Sequence, residues 1–88
     1  MGKYKATYYK KLGSIWFVSG GKLIITENEY IIKYFFKAVA RFEIDKTIVT
    51  RITRDALYKG ICLWDGVKGI ELYFFSKTVN KLYKILNV

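Results

Sequence analysis

The chain has 88 residues, of which 52% are hydrophobic and 18% aromatic, and it contains neither proline nor histidine. This length allows one domain with one modest core, and the apolar content excludes a disordered chain. Sixteen Lys and Arg against seven Asp and Glu give a net charge of +9, which favours anionic partners such as phosphate, acidic lipid or acidic protein.

The first 26 residues carry five lysines and no acidic residue, so more than half of the net charge lies there. Within residues 3–11, lysines and tyrosines alternate loosely. This pattern predicts that residues 1–13 form either a loose basic arm or an edge strand. Residues 15–18 are a short apolar run between segments that contain glycine and serine, which predicts a buried strand.

The clearest hairpin follows. Residues 22–26 and 29–36 have the composition of two strands, and Asn28 is expected to take the left-handed conformation of the tight turn between them. Both faces of the second strand are apolar near its end, which predicts a strand that is covered on both sides or turns a barrel corner. Residues 37–40 lack a strong turn former and are interpreted as a hairpin loop or one helical turn.

The middle of the chain continues the strand pattern. Residues 41–45 should place Phe42 and Ile44 inward. Residues 47–54 form a β-branched run with charge on one face, which is typical of a strand with one wet side.

A second hairpin is predicted from residues 61–65 and 69–75, joined by a loop whose two glycines can take positive φ. Its first strand contains the single cysteine, Cys62, which is interpreted as a small buried hydrophobe. One cysteine cannot form an intrachain disulfide, so a cytoplasmic location is expected.

The chain ends in a predicted amphipathic helix, because the apolar period changes from 2 to 3.6 after Ser76, the expected N-cap. The buried stripe should consist of Val79, Leu82, Tyr83 and Leu86. An exposed Ile85, off the centre of that stripe, would favour a helix that also binds a partner or a membrane. The fold class is therefore mainly β with one C-terminal α-helix, with six to seven antiparallel strands forming a small barrel or sandwich that the helix closes.

Residues 21–32, Gly-Lys-Leu-Ile-Ile-Thr-Glu-Asn-Glu-Tyr-Ile-Ile, resemble the Gly-x-Leu-x-hydrophobic-Thr turn and following strand of the pleckstrin-homology superfold, and within it the bacterial PH-like and GRAM-like domains. Residues 65–75 and the terminal helix resemble the last hairpin and the helix that plugs the barrel. The likeness covers residues 15–88. It departs from the family at residues 43–48, where a hydrophobic-Pro-Leu-x-x-Ile segment is frequent and this chain has neither proline nor leucine.

The resemblance implies one PH-like domain over residues 1–88 that binds a partner without catalysis. Many eukaryotic relatives bind phosphoinositides through a lysine followed by Lys/Arg-x-Arg in the first hairpin. The first half of this chain contains no Lys/Arg-x-Arg, so no phosphoinositide site is carried over.

The residues themselves also argue against an enzyme. Without histidine, Ser-His and Cys-His nucleophiles and imidazole metal sites are excluded. The carboxylates are scattered over different predicted elements, and no glycine-rich phosphate loop precedes a helix. We therefore expect no catalytic residue, no metal ligand and no cofactor.

Three functions remain open. The first is a non-catalytic PH-like module that docks on an acidic protein or an anionic membrane surface, with peripheral membrane association. The second is a small nucleic-acid-binding protein that uses the N-terminal Lys/Tyr segment. The third is a homo-oligomeric component of a larger assembly, joined through an edge strand. The candidate surface for an anionic partner consists of Lys3, Lys5, Lys10, Lys11, Lys33, Arg51, Arg54, Lys77, Lys81 and Lys84.

Overall fold

The structure is a computed structural model that describes residues 2–11, 14–53 and 59–88, with backbone alone for residues 7–11 and 14–20. The described residues form seven strands, one 3-10 turn and one α-helix. In chain order these are β1 (Gly2–Lys11), β2 (Ser14–Ile25), β3 (Glu29–Tyr34), β4 (Lys37–Glu43), the 3-10 turn (Ile44–Lys46), β5 (Ile48–Thr53), β6 (Lys59–Trp64), β7 (Gly69–Phe74) and α1 (Ser76–Leu86). The predicted class, mainly β with a C-terminal helix, is confirmed.

The strands pair antiparallel in the order β4-β3-β2-β1-β7-β6-β5. Residues 2–6 of β1 pair with the second half of β2, whereas residues 8–11 pair with both β2 and β7. The β1–β2 register shifts between Ala6 and Tyr8, and such an irregularity bends a sheet. Strand β1 therefore links a four-stranded sheet (β1–β4) to a three-stranded one (β5–β7).

Residues 2–11 are thus a strand and not a loose arm. Among the described residues, residues 8–11 are interior, with neighbours on both sides, whereas residues 2–6 pair with β2 alone and have the single paired side of an edge. The alternation of lysine and tyrosine identifies an extended chain, but a strand's neighbours are set by long-range pairing, which a local pattern does not encode. The run at residues 15–18 lies within β2, which continues without a break through Gly20 and Gly21. Residues 12 and 13 lie outside the described part of the chain.

The two ends of the order, β4 and β5, have no backbone pairing with each other in the described part of the chain. The strands therefore form two sheets and do not close into a barrel. One core cluster nevertheless draws on both sheets and on α1. Its members are Ala6, Leu23, Ile25, Tyr30, Ile32, Phe42, Ile61, Leu63, Ile70, Leu72, Tyr73, Phe74, Val79, Leu82 and Tyr83. The inward positions predicted for Phe42 and for the helix stripe are confirmed, with Ile44 and Leu86 partly buried beside the cluster.

Strand β3 ends earlier than the sequence predicts. Tyr34 pairs with Lys37, so Phe35 and Phe36 form a two-residue loop and the chain re-enters a strand at once. The predicted barrel corner and the predicted loop or helical turn at residues 37–40 are therefore wrong. The apolar residues at the end of β3 suggested a covered strand, but the tight register of the hairpin places them at its tip.

The turn at residues 27–28 is present, but Asn28 is not left-handed. Among the described residues, φ is positive at Phe35, Gly66 and Asn87. The backbone N–H of Thr26 donates to the carbonyl oxygen of Glu29 at 2.9 Å, and the N–H of Glu29 donates to Thr26 Oγ1 at 3.0 Å. The threonine side chain closes this turn, so a left-handed residue is not needed.

The predicted hairpin between β6 and β7 is confirmed, with Gly66 at φ 93°. Asp65 Oδ1 accepts the backbone N–H groups of Lys68 at 2.8 Å and of Val67 at 2.9 Å. These two bonds favour the carboxylate and lower the pKa of Asp65 below its ordinary value. Of the two loop glycines, Gly69 is extended and begins β7.

Two local predictions differ from the structure by one residue or one face. Helix α1 begins at Ser76 with Phe75 as its N-cap, which makes no side-chain capping bond. Cys62 is half-buried, because Ile61 and Leu63 are the buried residues on either side of it and alternate side chains of a strand point to opposite faces. Partial burial is the main cause that raises the pKa of the Cys62 thiol, and the negative charge of Glu71 raises it further.

Tyr83 ties the helix to the second sheet. Its hydroxyl donates to the carbonyl oxygen of Gly60 at 2.8 Å in a buried hydrogen bond. Tyr83→Phe should lower the free energy of unfolding by about 1 kcal/mol, because it removes that bond and leaves the ring in place. Urea denaturation measures the change. Tyr34→Phe, at an exposed position, is the matched control and should change stability by less than about 0.5 kcal/mol. Equal values for both variants would contradict a structural role for this hydrogen bond.

Candidate functional site

The tip of the β3–β4 hairpin carries three consecutive exposed aromatic residues. Tyr34 is 37% exposed, Phe35 54% and Phe36 97%. We call these three residues the aromatic tip. None of them belongs to the core cluster, and grouped exposed apolar side chains on a soluble surface mark interaction sites.

The backbone of the aromatic tip is strained. Phe35 has φ 55°, a conformation in which glycine and asparagine are favoured and which costs a bulky residue roughly 1–2 kcal/mol. The ring of Phe35 packs against that of Tyr34 with centroids 4.6 Å apart. A glycine would close the same hairpin without the cost, so the presence of phenylalanine points to a role outside the fold.

A row of lysines crosses the first sheet beside the tip. Lys5 of β1 lies directly opposite Lys22 of β2, and Lys22 lies directly opposite Lys33 of β3. We call these three residues the lysine row. Like charges in directly opposed positions destabilise a sheet, and the ion pairs between described residues, which all lie elsewhere, do not include any of the three. The row therefore carries a cost that an anionic partner would relieve.

The lysine row and the aromatic tip are adjacent in space. Lys33 immediately precedes Tyr34, and Lys37 immediately follows Phe36. At about 3.4 Å per residue along a strand, the Cα atom of Lys33 lies within about 7 Å of that of Phe35. Cations thus flank the exposed rings on both strands of the hairpin.

A second group of lysines lines a groove of about 230 Å³ between β1 and α1, which we call the β1–α1 groove. It is formed by Lys3, Tyr4, Lys5, Lys77, Thr78 and Lys81. Four of the predicted cations, from opposite ends of the chain, therefore meet here. Lys5 belongs to both the groove and the lysine row, so the two features are continuous.

Two other predicted cations lie away from this surface. Arg51 and Lys84 line a different groove beside the end of α1. The guanidinium of Arg51 lies 4.3 Å from the centroid of the Tyr83 ring and donates to the carbonyl oxygen of Val88 at 2.6 Å. These contacts give Arg51 a structural role. Arg51 lies on β5 and Lys33 on β3, and these two strands are not neighbours.

Three predicted cations cannot be assigned to any surface. Arg54 lies outside the described residues. Lys10 and Lys11 lie on β1 opposite Glu71 and Ile70 of β7, and their side chains are outside the description.

In the N-terminal Lys/Tyr segment, the described tyrosine is less accessible than the described lysines, although Lys3, Tyr4 and Lys5 all line the β1–α1 groove. Lys3 and Lys5 are exposed, whereas Tyr4 is half-buried and packs against the core. Strand alternation directs these lysines and Tyr4 to opposite faces, so the segment offers more charge than aromatic surface there. The side chains of Tyr8 and Tyr9 are outside the description.

In the described part of the chain, the open edges of the sheets are β4, β5 and residues 2–6 of β1, which pair with β2 alone. Lys37 and Arg41 lie on β4, and charged side chains on an edge strand discourage pairing with another chain.

A third groove is mixed in charge and is lined by three of the described acidic residues, Glu29, Glu43 and Asp65. In it, Arg41 pairs with Glu29 at 3.2 Å and Lys46 with Glu43 at 3.1 Å. Within residues 2–11, 14–53 and 59–88, no group of three or more Cys, Asp or Glu is placed to hold a metal ion.

Helix α1 leaves one large apolar residue outside. Ile85 is 53% exposed and lies one turn after Lys81. An exposed Ile85 is the feature that favours a helix which also contacts a partner or a membrane. Among the described helices, none has the length and apolar character required to cross a membrane.

Residues that the sequence analysis missed form the centre of this surface: Lys22, Phe35, Phe36 and Lys37. A signal was present, because two phenylalanines lie at a strand end between Lys33 and Lys37. The pairing of Lys22 with Lys33 had no signal in the sequence, since it depends on the register between β2 and β3.

Comparison of the chain with known protein families, with curated proteins and with solved structures found no match.

Proposed function

We propose that the chain is a cytoplasmic, non-catalytic PH-like module that docks on an anionic membrane surface through the aromatic tip and the lysine row. The PH-like assignment is supported by seven antiparallel strands followed by a C-terminal helix, and by the resemblance of residues 21–32, which form the β2–β3 hairpin. The membrane assignment depends on one observation, the exposed and strained Phe35-Phe36 loop beside lysines that form no ion pair with another described residue.

The dimensions of the surface suit a bilayer interface. The headgroup layer on each side of the hydrocarbon core is about 5–7 Å thick, close to the spacing between Phe35 and Lys33. Rings at the acyl boundary would therefore place the lysines among the phosphates. Such interfacial binding is stabilised by apolar burial and by attraction to anionic lipid together.

The energies are sufficient for reversible binding. Complete burial of one phenylalanine contributes about 1.5–3 kcal/mol, and Phe36 is almost fully available for burial. Each lysine near an anionic membrane contributes about 1 kcal/mol. Phe36 with the three lysines of the row thus supplies roughly 5 kcal/mol before the costs of association, enough for peripheral attachment.

An acidic protein is the less suitable partner. The tip projects from a two-residue loop, whereas protein interfaces bury their aromatic anchors in preformed pockets of the partner. A fluid bilayer accepts a protruding ring without a matching pocket.

Vesicle co-sedimentation tests the proposal. The chain should bind vesicles of phosphatidylcholine with phosphatidylglycerol, bind pure phosphatidylcholine vesicles far less, and lose affinity as salt is added. Lys22→Glu should weaken binding strongly. Lys84→Glu, on the groove beside Arg51, is the matched control and should retain most of it. Negligible binding to both vesicle types would overturn the membrane assignment, as would equal losses from the row and control variants.

A further inference from the structure

The β1–α1 groove concentrates positive charge. Of the six described residues that line it, four are lysines and none is acidic. Neither β1 nor α1 contains an Asp or Glu, and the ion pairs between described residues lie at Arg41 and Lys46. Lys77 and Lys81 are also one helical turn apart, where like charges destabilise a helix.

The groove also has the size and the donors for one small anion. Its volume of about 230 Å³ is below the 300–1,000 Å³ typical of pockets for drug-sized ligands. Lysine binds phosphate as a point charge with several N–H donors. The half-buried Thr78 adds a hydroxyl that can donate or accept. Four cations around one small space match a doubly charged anion better than a singly charged one.

We propose that the β1–α1 groove binds a phosphate monoester or inorganic phosphate dianion, held by Lys3, Lys5, Lys77 and Lys81 with Thr78. Where the phosphate belongs to a lipid, this site rests on the proposed membrane function and adds headgroup preference to it. Where the phosphate is free, binding neutralises Lys5, which the groove shares with the lysine row. Free phosphate would then weaken membrane docking.

Binding of free inorganic phosphate to the groove is tested by NMR on the full chain labelled with ¹⁵N. Inorganic phosphate should cause saturable shifts of the backbone amide signals of Thr78 and Lys81, beyond those caused by chloride at equal ionic strength. Lys81→Gln should weaken this binding about fivefold, the upper range for one exposed charge pair. Lys84→Gln is the matched control on the same helix and should leave the affinity unchanged. Glutamine keeps the helix propensity of lysine.

Binding of a lipid-borne phosphate to the groove is tested by comparing the affinity for two kinds of vesicle of equal surface charge. One contains phosphatidic acid, a phosphate monoester, and the other contains phosphatidylglycerol. Tighter binding to phosphatidic acid that disappears in Lys81→Gln supports a lipid-borne phosphate. Saturation by inorganic phosphate without a lipid preference supports a free one.

The groove site is overturned if inorganic phosphate does not saturate it and phosphatidic acid is not preferred. It is also overturned if Lys81→Gln and Lys84→Gln have equal effects. Continued binding to phosphatidylglycerol vesicles would then leave the proposed function standing. Conversely, saturation by inorganic phosphate without binding to any anionic vesicle would overturn the membrane function and keep the groove.

Discussion

Phe36→Ser should lower the affinity for anionic vesicles about thirtyfold and leave the free energy of unfolding within about 0.5 kcal/mol of its starting value. The side chain is 97% exposed, so it contributes almost nothing to the core. Loss of about 2 kcal/mol of apolar transfer energy corresponds to that factor. Quantitative co-sedimentation and urea denaturation give the two values.

Phe35→Gly separates binding from stability in the same loop. Removing a bulky residue from φ 55° relieves roughly 1–2 kcal/mol of strain, while losing the ring contact with Tyr34 costs about 0.5–1.5 kcal/mol. The free energy of unfolding should therefore change by between about −0.5 and +1.5 kcal/mol. Vesicle affinity should fall about fivefold, because roughly half of the ring is available for insertion.

Val67→Ser is the matched control for the aromatic tip. Val67 is 88% exposed in the β6–β7 loop, an equally exposed apolar residue at the end of another hairpin. Its replacement should change neither stability nor vesicle binding. If Val67→Ser reduced binding as much as Phe36→Ser, general surface hydrophobicity and not the aromatic tip would be responsible.

Gly60→Ala should destabilise the domain by about 3 kcal/mol or more. A Cβ atom at this position would overlap the carbonyl oxygen of Leu72 and lie 2.8 Å from its carbonyl carbon, both in the backbone of β7. Because backbone cannot rotate away as a side chain does, β6 and β7 would have to separate. The cost should reach or exceed the upper range for overpacking. This is a large part of the roughly 4–13 kcal/mol expected for a domain of 88 residues.

Gly66→Ala is the control that isolates backbone conformation from steric overlap. Gly66 has φ 93°, and a Cβ atom there meets no atom within 4 Å. Its replacement should cost only about 1–2 kcal/mol. Thermal or urea unfolding of both variants makes the comparison. Equal losses would show that the close approach of β6 to β7 is not the cause of the Gly60 effect.

The period of the hydrophobic pattern predicted most elements correctly. The helix stripe of Val79, Leu82 and Tyr83 is buried, and both predicted hairpins are present. These features depend on neighbours within one turn or one strand, where spacing alone determines which side chains share a face. Loop geometry was predicted less well, because a side-chain hydrogen bond from Thr26 replaced the left-handed residue expected at Asn28.

The candidate site was predicted only in part. Lys3, Lys5, Lys77 and Lys81 were recognised as cations, but their meeting in one groove follows from how α1 lies near β1. Arg51 was expected on the binding surface, and its contacts with Tyr83 and Val88 place it elsewhere. Charge can be read from composition, whereas its clustering requires knowledge of which strands are neighbours.

By itself, the sequence determined the mainly β class, the closing helix and the excess of positive charge, because each follows from composition or short-range spacing. The tertiary structure alone decided that residues 8–11 of β1 lie between β2 and β7, that Lys5, Lys22 and Lys33 lie in one row, and that Phe35 and Phe36 lie at an exposed tip. These depend on strand order and register, and a shift of one residue in register would move every side chain of a strand to the other face.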